Sequence, residues 1–381
     1  MVELNPEQFH ISSEDQKRLD ALYNLFSERA EIMLGYPANL LYDYSDLYRF
    51  FRFTINNVGD PFVEGLYDIN THAFERDVIS FFARLYRTPR NNYWGYVTNG
   101  GTEGNMYGLY LARESLPDGI VYFSYDTHYS IKKAVKILDM LSQEIKSQYN
   151  GEIDYEDLEA RIQTERQRPP IIVANIGTTI KGATDRVEKM VSILRRNAIQ
   201  QFYIHCDAAL GGMILPFVES APIFDFRMPI ESISLSGHKM IGSPVPCGIV
   251  LTRKKNVQRI QQQIEYIGAP DTTLSGSRNG HTVLFLWYAI KRFGIPGFQK
   301  MVASCLDMTK YTLERLKKIS WDAEAQDFSV TIIIKRPSEM IVKKWQLAIE
   351  GNIAHLLIMP RVSKKQIDAF IEDLKRECYQ L

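Results

Sequence analysis

Strand-length apolar runs alternate with helix-length amphipathic segments over residues 72–254, and no other feature of this sequence restricts its fold so tightly. The runs include "YWGYVT", "IVYFS", "PIIVAN", "QFYIHCD", "SISLS" and "GIVLT". Between most of them lie helical patterns such as "HAFERDVISFFARLYR", "TEGNMYGLYLARESL", "YSIKKAVKILDML" and "VEKMVSILRRN". The runs are apolar throughout rather than alternating, as expected for strands covered on both faces. The pattern predicts an α/β fold built on a large, mostly parallel sheet. A helix is expected over 13–34, where Leu19, Leu22, Phe26 and Met33 recur at helical spacing behind Ser12 and Ser13, and a second over 45–55. After residue 280 two long helical patterns, near 282–293 and 297–318, precede the strand "SVTIIIK", the helix "EMIVKKWQLAIE", the strand "IAHLLIMP" and a last helix. The predicted organisation is an N-terminal helical segment over 1–60, a large domain over 61–295 and a small C-terminal α+β domain over 296–381.

Composition narrows the function classes. Lys+Arg and Asp+Glu both number 45, so no net basic field recruits nucleic acid or an anionic membrane. Zero net charge with 12% aromatic residues fits a chain that hides surface in an oligomer. The four cysteines, Cys206, Cys247, Cys305 and Cys378, form no C-x-x-C pair and no histidine–cysteine cluster. Free thiols and no metal site are expected. The polar opening "MVELNPEQFHISSEDQKRLD" and the lack of an apolar run of membrane-spanning length point to a cytoplasmic protein.

Chemistry in α/β folds gathers where strands end, and four such junctions here carry unusual residues. "TNGGTEGN" (98–105) places glycines and a threonine at a helix start, where free N–H groups and the positive dipole end suit a phosphate. Taken on its own, a tight strand–helix turn is the plainer explanation. In "DTHYS" (126–130), His128 sits where it can cover a flat ring or merely cap a helix. In "YIHCDAAL" (203–210), Asp207 ends a very apolar strand, so its carboxylate needs a partner. "SLSGHKMIGSPVPCG" (234–248) isolates Lys239 among small residues. A surface lysine at a strand end is the plain alternative; burial would instead lower its pKa and make it a usable amine for a Schiff base. Together the four make the parts list for pyridoxal 5'-phosphate: a lysine for the aldehyde, an acid for the pyridine nitrogen, a glycine-rich helix start for the phosphate and a flat group over the ring.

With "NIGTT" and "SGSRNGHT", these motifs resemble the pyridoxal-phosphate-dependent group II amino-acid decarboxylases over nearly the whole chain. The resemblance is nearest to the bacterial histidine decarboxylase branch, with the plant-type serine decarboxylases next. It implies the fold-type I, aspartate-aminotransferase-like architecture and an obligate homodimer across which the N-terminal segment packs. It also implies residue roles. Lys239 is the Schiff-base lysine, Asp207 pairs with the ring nitrogen, and His128 stacks on the ring. Gly101 and Thr102, joined by Ser236 and His238, hold the phosphate. Thr179 and His205 support the ring's phenolic oxygen and Asp207. Gly276 and Ser277 reach the neighbouring subunit's phosphate.

The implied activity is decarboxylation of a small L-amino acid: L-histidine to histamine, with L-serine to ethanolamine as the alternative. "NNVGDPFVEG" and "WQLAIEGNIAHLLIMP" lean toward the serine branch, and Val58 and Pro61 depart from the Asn-Cys-Gly-Asp-Trp of the histidine enzymes. His128 and Tyr266, the latter in the loop "IEYIGAPDTT", are the expected proton donors to Cα. Transamination would instead want an arginine on the substrate carboxylate, for which Arg278 and Arg361 are the candidates.

Overall fold

The computed structural model describes residues 10–379. The large sheet contains β1 (Tyr93–Thr98), β2 (Ile120–Ser124), β3 (Leu141–Ile145), β4 (Pro170–Asn175), β5 (Tyr203–Asp207), β6 (Ser232–Ser236) and β7 (Gly248–Arg253), in the order β1-β7-β6-β5-β4-β2-β3. Strands β3, β2, β4, β5 and β6 run parallel, and β7 is antiparallel to both its neighbours. The continuous apolar runs are explained by cover on both faces: Ile172, Ile204 and Ile233 enter one apolar cluster, while Val121, Val173 and Val250 enter another. The expected mostly parallel α/β sheet is therefore present.

The helices of this part are α1 (Ser13–Glu31), α2 (His72–Leu85), α3 (Gly101–Ser115), α4 (Tyr129–Ile137), α5 (Tyr155–Thr164), α6 (Val187–Arg196) and the short α7 (Lys254–Val257). Local chemistry sets their starts. Ser12 caps α1 by accepting from Asp15 N–H, and Asp154 caps α5 by accepting from Glu156 and Asp157 N–H. A hairpin, β8 (Gln262–Ile264) and β9 (Ala269–Asp271), follows α7.

Helix α8 (Gly280–Lys318) contains both predicted helical patterns end to end, divided by non-helical backbone at Gly294 where φ is +55°. It leads into the small domain: β10 (Ala323–Glu324), β11 (Thr331–Lys335), α9 (Glu339–Trp345), β12 (Ala348–Glu350), β13 (Ile353–Leu357) and α10 (Lys364–Tyr379). These strands form an antiparallel sheet in the order β10-β11-β13-β12.

Three expectations change. The predicted helix over 45–55 is a 3₁₀ stretch over Ser45–Arg52. The predicted helix "EMIVKKWQLAIE" stops at Trp345, because Gln346 takes a left-handed φ of +52° and the rest becomes β12. The N-terminal segment is also not one unit. Leu34 is fully buried and bonds backbone-to-backbone with Trp345 and Leu357 of the small domain. Helix α1, in contrast, buries none of its residues. Cys206, Cys247 and Cys305 are free and buried, and the side chain of Cys378 lies outside the described residues. Among the described residues no helix is long and apolar enough to cross a membrane.

Candidate active site

A cavity of about 410 Å³ opens at the carboxyl ends of β4, β5 and β6, between the large sheet and the small domain. Its lining includes Gly101, Thr102, His128, Thr179, Asp207, Ser236, His238 and Lys239. Five separate junctions deliver these side chains, and the parallel register brings them together: Asn175 lies opposite Asp207, and Asp207 opposite Ser234.

Asp207 is 6% exposed. Its Oδ1 accepts from Ala209 N–H at 3.2 Å and its Oδ2 from Asn105 Nδ2 at 2.7 Å. Lys239 lies on a wide turn over Gly237–Ile241 that follows β6 directly. Burial lowers its pKa below the usual lysine range, and the Asp207 carboxylate opposes that shift. An amine so placed has a larger neutral, nucleophilic fraction than a surface lysine.

His128 caps α4. Its Nδ1 accepts from Ser130 N–H at 3.2 Å and lies 2.8 Å from Ser130 Oγ. Because Ser130 Oγ already receives Asn105 Nδ2 at 3.1 Å, its own hydrogen goes to His128 Nδ1. The neutral ring therefore carries its proton on Nε2. Burial lowers the His128 pKa, Asp207 opposes this and Lys239 adds to it.

Asn105 joins these groups, and reasoning from the sequence did not single it out, although it closes the quoted "NGGTEGN". Its Nδ2 donates to Asp207 and Ser130, and its Oδ1 lies 3.0 Å from His205 Nε2. His205 is fully buried and does not line the cavity. It was expected to support Asp207; no direct bond joins them, and Asn105 stands between. With Nε2–H donating to Asn105, His205 Nδ1 accepts from Ser232 Oγ at 2.8 Å, whose own acceptor capacity takes Tyr203 O–H. Burial pushes the His205 pKa down to about 4, so this ring is neutral at physiological pH. The signal for Asn105 was its position four residues into α3, one turn below Gly101 and on the face toward the sheet.

Tyr266 is 83% exposed in the β8–β9 turn and does not line the cavity. The structure does not bring it to the other site residues. Gly276 and Ser277 also lie outside this cavity; Ser277 Oγ instead accepts from Asn56 Nδ2 at 3.1 Å. Val58 and Pro61 line no part of it either. Arg278 is held by Glu75 and the Gly59 carbonyl, and Arg361 by the carbonyls of Ala30 and Met33. Among the described residues, no arginine lines the cavity.

The donor set fits pyridoxal phosphate. A Cβ added at Gly101 would lie 2.9 Å from Ser236 Oγ, so glycine is what lets the start of α3 come close to that hydroxyl, and free N–H groups beside a hydroxyl suit a phosphate. Asp207 is a buried carboxylate with two N–H donors and no paired cation among its hydrogen bonds, and a protonated ring nitrogen would complete it. Lys239 supplies the amine.

Residues 75–332 match the pyridoxal-dependent decarboxylase conserved domain. The chain belongs to the pyridoxal-dependent decarboxylases. It is 46% identical to a histidine decarboxylase of Mesorhizobium japonicum, over 96% of this chain and 98% of that one. It is also 46% identical to a histidine decarboxylase of Morganella morganii, over 96% and 97%. Similarity to serine decarboxylase 1 of rice is 44%, over 91% of this chain and 72% of that protein. Among solved structures, L-methionine decarboxylase from Streptomyces sp. 590 superposes with a TM-score of 0.88 at 28% identity, over 98% of both chains. Lactobacillus brevis glutamate decarboxylase, at 17% identity and TM-score 0.81, shares the fold. This decarboxylase thus has the fold-type I architecture, and its cofactor is pyridoxal phosphate.

Proposed function

We propose that this decarboxylase converts L-histidine to histamine and CO2, as a cytoplasmic homodimer. The observation that carries the substrate is the match to histidine decarboxylases along 98% of their length at 46% identity. The rice serine enzyme matches over 72% of its own length, which makes serine the second reading. The cavity supports decarboxylation over transamination, because no arginine of the described residues is available there to clamp the substrate carboxylate.

In this reading Lys239 would hold the cofactor through its aldehyde, its buried amine being the group that a substrate amine must replace. Gly101, Thr102, Ser236 and His238 would hold the phosphate, and Thr179, which lines the same cavity, would support the ring's phenolic oxygen. Bound there, pyridoxal phosphate supplies an electron sink for the pair left on Cα when CO2 departs. Asp207 keeps the ring nitrogen protonated, with Asn105 fixing the carboxylate. His128 would cover the ring with Nε2 toward the substrate side; as the imidazolium it would return a proton to Cα and be left as the neutral ring. Burial favours its neutral form. The poorly solvated cavity favours loss of the substrate's negative carboxylate as neutral CO2. Gly276 and Ser277 reach the partner subunit's phosphate, which accounts for their distance from the cavity of their own chain.

The test incubates purified, cofactor-loaded protein with histidine and serine separately and assays histamine, ethanolamine and CO2. Histamine with CO2 is expected; ethanolamine alone would replace this reading with the second. Lys239→Ala should abolish the visible absorption band of bound cofactor, and a normal band would remove Lys239 from its role.

A further inference from the structure

Among the described residues, seven other than glycine have a positive φ. Arg87, Asp139, Ala198 and Ser320 each follow the cap of a helix, and Gln346 is itself such a cap, where left-handed backbone closes the last turn. Asn91 is a residue type that tolerates the conformation. Phe328, with φ +62°, fits neither explanation. It is the third residue of a turn over 326–329, closed by Ser329 N–H to Gln326 O at 3.2 Å. Positive φ at that position marks a type II turn, where glycine or asparagine is standard and a bulky aromatic is strained.

Core packing does not explain the choice. The Phe328 ring joins none of the three buried apolar clusters, and none of the aromatic pairs among the described residues includes it. It lines the cavity. The turn is pressed onto the large domain: a Cβ at Gly182, in the loop after β4, would lie 2.3 Å from Ser329 Oγ. His355, on β13 behind the same wall, reaches the carbonyls of Ile180 and Gly35 at 3.2 and 3.0 Å. The wall is thereby tied to the loop after β4 and to the segment at Gly35. Lys239 and the start of α3 line the same cavity, so a substrate held at Lys239 shares that space with this wall.

The geometry points to Phe328 as a specificity-determining residue, its ring forming the apolar face on which a flat imidazole side chain packs. This rests on the histidine reading for the identity of the side chain, though not for the existence of the wall. Ring-on-ring contact explains an aromatic residue in a backbone conformation that disfavours it.

The experiment compares cofactor-loaded wild type, Phe328→Gly and Phe328→Leu. Glycine removes the strain and the ring together, so Phe328→Gly should melt about 2 °C or more above wild type. Its kcat/KM for histidine should fall about tenfold or more, mainly through KM, while its selectivity shifts toward bulkier amino acids such as phenylalanine and tryptophan. Phe328→Leu, which keeps a bulky apolar side chain, should fall between. The dissociation constant of histidine methyl ester, read from the cofactor's absorption, should rise with KM, and cofactor affinity should not change. Unchanged selectivity in Phe328→Gly, or an equal rise of KM for every amino acid, would overturn the inference. If wild type acts on serine and not histidine, the histidine reading falls by itself. The wall then stands if Phe328→Gly admits larger amino acids and falls if it does not.

Discussion

Of the residues that gather at the cavity, those with unusual chemistry were legible in the sequence. A lysine isolated among small residues, an acid ending an apolar strand and a histidine at a helix start each conflict with their surroundings, and that conflict is the signal. Asn105 gives no such conflict, since an asparagine in the first turns of a helix is ordinary. Its role follows from what stands opposite it on β5, which local pattern does not carry. Its three contacts nevertheless make it the most exposed to test. Asn105→Ala leaves Asp207 Oδ2 without its 2.7 Å donor and His205 Nε2–H without its acceptor. Stranding two buried polar groups costs about 1–3 kcal/mol each. Urea unfolding should therefore show a loss of roughly 2–6 kcal/mol, and kcat should fall at least tenfold as the Asp207 carboxylate loses its fixed orientation. Wild-type values for both would show that Asn105 is a bystander.

The buried strands and the helices between them were readable as elements, because two-sided burial and 3.6-residue spacing leave strong marks on composition. What escaped was short or decided by contact: the β8–β9 hairpin, β10 and β12 are two or three residues each, too few to show a period. The hidden packing of α3 on the sheet is the consequential case. A Cβ at Gly108 would lie 2.3 Å from His205 Nδ1 and 2.5 Å from its Cε1. His205 cannot retreat, because Ser232 and Asn105 hold both ring nitrogens. Alanine should stabilise an isolated helix by about 1 kcal/mol over glycine. In this chain Gly108→Ala should instead destabilise by roughly 1–3 kcal/mol through overpacking. It should also weaken cofactor binding, since pushing α3 off β5 moves the N–H groups at its start. Denaturant midpoints and a cofactor titration read the two effects, and a gain in stability would mean that α3 packs less closely than the structure shows.

For the whole molecule, one element lacks a role within a single chain. Helix α1 buries none of its residues and leaves Leu19, Leu22, Tyr23, Leu25 and Phe26 exposed by 45–73%. Further along, Tyr48, Phe51, Phe53 and Leu66 are exposed by 59%, 57%, 54% and 74%. Exposed apolar area on this scale marks an interaction surface rather than a solvated one. In the proposed homodimer a second copy would cover this surface, and would also account for Gly276 and Ser277 lying away from the cavity of their own chain. Light scattering should therefore give about twice the 44.0 kDa chain mass at micromolar concentration. Leu22→Asp combined with Phe26→Asp places two charges on α1 without touching a residue buried in the monomer. That variant should dissociate at concentrations where wild type stays dimeric, with its secondary structure intact. If the partner's Gly276 and Ser277 help hold the phosphate, the dissociated form should also bind cofactor at least tenfold more weakly. A wild-type chain that is monomeric and fully loaded with cofactor would refute both the dimer and the shared phosphate site.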